Sequence, residues 1–159
     1  MQAWLDSLLG VLALPHYGLS TLFVAAFVSA TLIPVGSEPA LFGLLKLNPG
    51  LFWPAIFVAS AGNTLGGAVD WWMGYGAHKV ADKYANSKTH LRALAWLERL
   101  GPKACLLSWL PIVGDPLCAV AGWLKMPFWP CVAYMAVGKL LRYVSLTAGL
   151  MWATSGVHF

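Results

Sequence analysis

Charge is scarce in this sequence. Asp, Glu, Lys and Arg make up 10% of its 159 residues, against about 25% in an ordinary soluble domain. That is too little polar surface to cover a water-soluble globule. Disorder is excluded for the same reason, because disordered chains are poor in apolar residues. Cysteine is sparse too. Cys105, Cys118 and Cys131 form no CxxC pair and no zinc spacing. Each lies in an apolar stretch and reads as a small buried hydrophobe. His16, His78, His90 and His158 are scattered, with no HxxxH, so no metal site is expected. No Gly-x-Ser-x-Gly elbow and no Ser-His-Asp order appears. No catalytic residue is therefore assigned, an enzyme is not expected, and no cofactor is implied. Asp6 stands where a signal peptide would carry positive charge, and no lipidation motif is seen.

What is abundant is apolar surface. The chain is 59% hydrophobic, with 9 Trp and 16 Gly, a composition that points to an integral membrane protein. The net charge of +4 is carried by residues 76–103. Lys79, Lys83, Lys88, Arg92, Arg99 and Lys103 there outweigh Asp82 and Glu98, and the rest of the chain is balanced. One short basic loop between apolar stretches follows the positive-inside bias and is expected in the cytoplasm. No basic segment suited to nucleic acid is present.

Residues 2–14 are too short to span and read as interfacial. A break is expected at Pro15-His16-Tyr17-Gly18. Leu19–Ile33 forms an apolar leg that meets Pro34-Val35-Gly36-Ser37-Glu38-Pro39, and a second leg, Ala40–Leu47, follows. A helix rises about 1.5 Å per residue, so the second leg reaches only about 12 Å. The hydrocarbon core is about 30 Å thick. The spacing therefore predicts a re-entrant hairpin over 19–47, with a tilted crossing of 19–33 left open. Pro54–Tyr75 is long enough to cross. A short amphipathic helix capped by Ser87 or Thr89 is expected within the loop, with Ala93, Trp96, Leu97 and Leu100 on one face. The pattern then returns: Ala104–Leu110, a break at Pro111-Ile112-Val113-Gly114-Asp115-Pro116, the short leg Leu117–Leu124, and the span Pro130–Trp152.

The two halves superimpose as text. Pro34, Glu38 and Pro39 match Pro111, Asp115 and Pro116 at an offset of 77, and Trp53-Pro54 matches Trp129-Pro130 at 76. One hairpin plus one crossing is an odd number of crossings, so the second copy is inverted, a transporter design. The expected fold is an all-α integral membrane protein. It is an inverted repeat of a re-entrant hairpin plus a transmembrane helix, with a short interfacial amphipathic helix. One membrane domain fills 1–159: repeat 1 at about 19–75, the loop 76–103, and repeat 2 at about 104–152.

Several blocks carry a family resemblance. Pro34-x-x-x-Glu38-Pro39, Gly62-Asn63-Thr64-Leu65-Gly66-Gly67, Ser108-Trp109-Leu110-Pro111-x-x-Gly114-Asp115, Ala121-Gly122-Trp123 and Gly138-Lys139-x-x-Arg142-Tyr143 together resemble the DedA (VTT-domain) superfamily, in its short YqaA-like branch. The resemblance covers roughly residues 20–150. It implies a multi-pass protein of the bacterial inner membrane. It also implies translocation of a phospholipid or polyprenyl-phosphate carrier, coupled to protons or sodium. The larger family has arginines three residues to either side of the second-hairpin proline. Here those positions are Ser108 and Gly114, so phosphate binding by those arginines does not carry over.

The residues themselves nominate a path. Glu38 and Asp115 are expected at hairpin tips, where a carboxylate at membrane depth marks function by default. Desolvation favours the neutral form of carboxyl groups in general, which suits proton coupling; capping a broken helix is the bland alternative. Lys139 and Arg142 are three apart on one face of the second span. They are candidate phosphate or carboxylate partners; the bland alternatives are structural ion pairs with the two acids, or snorkelling to an interface. Asn63 and Asp70 share a face of the first span, Asn63 chiefly as helix glue. Arg142 is expected opposite Gly66, where a missing side chain leaves room, so that Glu38, Asp115 and Arg142 converge on one cavity. Pro34, Pro39, Pro111, Gly114 and Pro116 are read as hairpin breaks. Gly62, Gly66, Gly67 and Gly138 are read as helix-packing positions. Trp53, Trp71, Trp72, Trp129 and Trp152 read as an aromatic belt.

The leading expectation is a lipid-carrier transporter. The alternatives are a small-cation/proton exchanger and a non-transporting membrane assembly factor. Membrane lipids, including a lipid phosphate, are the expected partners, nucleic acid is not, and a homo-oligomer is left open.

Overall fold

A computed structural model describes residues 15–31, 37–81, 91–110 and 113–155. Within them the chain is helical, with no strand. The elements are α1 (Pro15–Thr31), α2 (Glu38–Leu47), a 3₁₀ turn (Pro49–Leu51), α3 (Phe52–Ala81), α4 (Leu91–Leu100), a 3₁₀ segment (Gly101–Trp109), α5 (Gly114–Trp123) and α6 (Phe128–Ser155).

The short helices start where local chemistry favours a start. α2 opens on Glu38-Pro39 and α5 on Gly114-Asp115-Pro116. An acid in the first turn suits the positive end of the helix dipole. A first-turn proline loses no hydrogen bond and has its φ already set. This corrects one expectation: Pro39, Gly114 and Pro116 do not break the chain but lie in first helical turns. Pro34 and Pro111 lie outside the described residues, as do residues 2–14, Ser87 and Thr89. Pro15–Gly18, expected as a break, forms the first turn of α1.

α5 ends in a left-handed cap. Lys125 has φ 54°, and the amides of Lys125 and Met126 donate to the carbonyls of Gly122 at 2.9 Å and Ala121 at 3.1 Å. This is the Schellman pattern with lysine in the position glycine usually holds.

α3 and α6 are 30 and 28 residues long and run past the expected spans. α3 extends six residues into the expected loop. Among the described residues, however, no helix is long and apolar enough to cross a membrane by hydropathy. The reason lies in their inward faces. Ser60, Asn63, Thr64 and Asp70 of α3 and Lys139, Arg142 and Thr147 of α6 are buried. The outward faces are apolar instead, with Phe57, Leu65, Val69 and Met73 exposed on α3 and Val137, Leu141, Leu146 and Leu150 on α6. Extensive exposed apolar surface marks contact with a membrane or another protein.

Two apolar clusters hold the helices together. One joins α1, α2 and α3 through Leu22, Ala26, Leu41, Leu44, Leu45 and Ile56, with Tyr143 of α6 closing it. The other gathers Trp71, Cys118, Met126, Met135 and the remaining two cysteines, all three of which are free thiols. Trp71 is thus buried rather than part of a belt. Its ring stacks on Tyr75 at 5.3 Å and meets Phe128 edge-on at 5.1 Å. Trp53, Trp72, Trp129 and Trp152 are exposed.

Small residues set the helix spacing. A Cβ on Gly62 would lie 2.5 Å from the Phe23 carbonyl oxygen, and one on Gly66 would lie 2.4 Å from the Ala30 Cβ. α1 and α3 therefore touch backbone to backbone along that stripe, as small-xxx-small pairs permit. Gly138 does the same for α6 against Leu106 and Ser108.

Candidate functional site

The polar centre lies where α6 meets α3 and the starts of α2 and α5. Lys139 is three residues before Arg142, so both cations project from one face of α6. Each meets the acid of a different short helix. The Lys139 ammonium donates to Asp115 Oδ1 at 2.9 Å and to the Asn63 backbone carbonyl at 2.6 Å. Arg142 donates through Nε at 2.9 Å and through Nη2 to one oxygen of Glu38, Oε1. The cations are almost fully buried, whereas the Glu38 and Asp115 side chains are 27% and 16% exposed. Each pair thus has a buried basic end and an acidic end that can be reached.

Tyr143 links the two pairs. Its hydroxyl contacts the Ser37 hydroxyl and accepts from Asn63 Nδ2 at 2.9 Å. Ser37 precedes Glu38, and the Asn63 carbonyl holds Lys139. A continuous polar path therefore runs from the start of α2 to the start of α5. Two buried atoms beside it have no hydrogen-bond partner among the described residues: Arg142 Nη1 and Asn63 Oδ1.

The sequence reading nominated Glu38, Asp115, Arg142, Lys139 and Asn63, and all five meet here. The three charged residues expected to converge do not share one partner. With Lys139 they sort into two pairs, because both cations sit on α6 and each meets a different acid. Gly66 leaves no room for Arg142, since it packs on α1. Gly67 does make room, but for the other cation: a Cβ there would lie 3.0 Å from the Lys139 ammonium. Asp70 is buried and lies in the field of Asp115 and Lys139, yet it forms no ion pair among the described residues. Ser37 and Tyr143 were missed as site residues. Tyr143 was visible beside Arg142 and one turn from Lys139, but a hydroxyl carries no formal charge to single it out.

Ser108 and Gly114, which stand where the larger family has arginines, touch each other. A Cβ on Gly114 would fall 2.6 Å from the Ser108 carbonyl oxygen, and Ser108 is fully buried. A large side chain at position 114 does not fit this packing. The family departure is therefore built into the close approach of two backbones.

Comparison with known proteins gives the class. The VTT domain family matches residues 39–150, and the chain belongs to that DedA-type family. Among its relatives is the inner membrane protein YqaA of Escherichia coli, 37% identical over 138 residues, covering 84% of this chain and 94% of that protein. The protein of the same name from Shigella flexneri matches equally. An uncharacterised protein of Haemophilus influenzae is 40% identical over 132 residues, 79% of this chain and 82% of its own length. The chain is thus a YqaA-like DedA-family membrane protein, and the relatives' name supports the bacterial inner membrane as its location. No solved structure matches.

Proposed function

We propose that this protein moves a phosphate-bearing lipid across the inner membrane, with the two ion pairs as its gate. The observation that carries the reading is the Arg142 guanidinium. It is buried, spends two donors on one Glu38 oxygen, and keeps Nη1 without a partner. A guanidinium so placed has the fork geometry that suits a phosphate. An anionic headgroup would compete with Glu38 for it, and protonating Glu38 would release the cation. Proton uptake and headgroup binding are then coupled through one equilibrium.

The inverted repeat belongs to this reading. Asn63 and Lys139 are equivalent at the offset of 76 and touch each other, as positions on a two-fold axis would. On this topology the loop 76–103 faces the cytoplasm, and a cysteine at position 87 resists membrane-impermeant labelling in intact cells. Labelling from outside would reverse the orientation.

The functional test is transport of a fluorescent phospholipid, and separately of a polyprenyl phosphate, in proteoliposomes across a pH series. Arg142→Ala is expected to abolish transport, Arg142→Lys to weaken it, and Glu38→Gln to remove its pH dependence. Normal pH-dependent transport by both Arg142→Ala and Glu38→Gln sinks the proposal.

A further inference from the structure

A groove away from the ion pairs runs between α1 and α2. Its volume is about 430 Å³, and Gly18, Leu22, Ala40, Gly43, Leu44 and Lys46 are among the residues that line it. Small-molecule sites typically span about 300–1,000 Å³, mostly apolar with a few placed polar groups. A Cβ on Gly43 would meet nothing within 4 Å, so the groove is open along that part of α2. Lys46 is exposed and sits 5.1 Å from the centre of the Phe42 ring. It has no acidic partner among the described residues.

We propose that this groove holds one anionic lipid, its acyl chain along Gly43 and Leu44 and its phosphate at the Lys46 ammonium. The occupant follows from the lining of the site. An open apolar trough loses dispersion contacts unless a chain fills it. An exposed lysine on its lining, with no acidic partner among the described residues, selects a negative head. In the second half the positions matching Gly43 and Lys46 are Val120 and Trp123. The inference rests on the membrane location and not on transport.

Native mass spectrometry of the full chain in detergent tests it, with phosphatidylglycerol and phosphatidylcholine titrated separately. One surface cation is worth about 1 kcal/mol toward an anionic lipid, so the wild type is expected to retain the first phosphatidylglycerol roughly fivefold better. Lys46→Gln is expected to bring that ratio to about one while leaving the fold intact, since the side chain is exposed. Gly43→Trp is expected to lose both lipids, and Ala61→Trp, on a different face, to keep them. Three results overturn the proposal: preference for phosphatidylglycerol retained by Lys46→Gln, wild-type retention by Gly43→Trp, or a lipid-free wild-type dimer that Gly43→Trp splits. The last would make a second copy the occupant. Lipid retention without transport in proteoliposomes removes only the transport reading. Transport with no retained lipid removes only this one.

Discussion

α2 and α5 begin alike and are held differently. Both open on an acid followed by proline, both are 10 residues long, and both acids pair with a cation of α6. α5 is clasped to α3 at two glycines. A Cβ on Gly122 would lie 1.9 Å from the Trp71 carbonyl oxygen, and one on Gly74 would lie 1.8 Å from that of Ala119. The position in α2 that matches Gly122 is Leu45, a core residue that needs space. Beside it Gly43 faces open room. One local motif thus yields a locked helix in the second half and a looser, grooved one in the first. The difference comes from a few side-chain volumes.

The largest expected effect tests the electrostatic half of that comparison. Lys139→Ala leaves the half-buried Asp115 and the Asn63 carbonyl without their cation, and breaking a buried pair costs up to about 3–5 kcal/mol. Denaturant unfolding in detergent micelles measures it. Lys139→Met combined with Asp115→Asn should recover most of the loss, because no unpaired charge remains. If the double variant is no better than the single, the pair is not what holds α5.

Packing comes next. Gly122→Ala pushes a methyl into main-chain atoms and is expected to cost about 1–3 kcal/mol, because the helices must part. The same substitution at Gly43 should stabilise by about 0.4–1 kcal/mol through the lost freedom of the unfolded chain. Opposite signs for one chemical change would sharpen the contrast between α2 and α5; equal signs would break it.

Tyr143→Phe probes the link between the halves. It removes the hydroxyl shared by Ser37 and Asn63 and leaves both to find other partners, at a cost of about 1–2 kcal/mol. Its signature is coupling: in a double-mutant cycle the effects of Glu38→Gln and Asp115→Asn should depend on each other less once the hydroxyl is gone. Effects that are additive in the wild-type background would show that the polar path carries nothing between the pairs.

The smallest change falls on Asp70. It is the third acid beside two cations, buried and without an ion pair among the described residues. Asp70→Asn removes surplus negative charge, and the variant should be as stable as wild type or slightly more so. A clear loss in the melting temperature would assign Asp70 a partner that the charge balance does not provide.

The sequence by itself determined a good deal. Scarce charge and abundant apolar residues set the class. The two acid-proline pairs read as parts of the breaks, and only the structure puts them in the first turns of the short helices. The motif blocks pointed to the family, and five of the central polar residues stood out as the few ionisable or amide groups within apolar stretches. What it left undecided were distances between helices. Periodicity assigns Lys139 and Arg142 to one face of α6, but it does not say which acid each meets. That depends on how closely α3, α5 and α6 approach, and the approach is set where Gly74, Gly122 and Gly138 let backbones touch. Tyr143 and Ser37 joined the site for the same reason. A hydroxyl becomes part of a buried network only when packing brings another polar group to it, and only the tertiary structure does that.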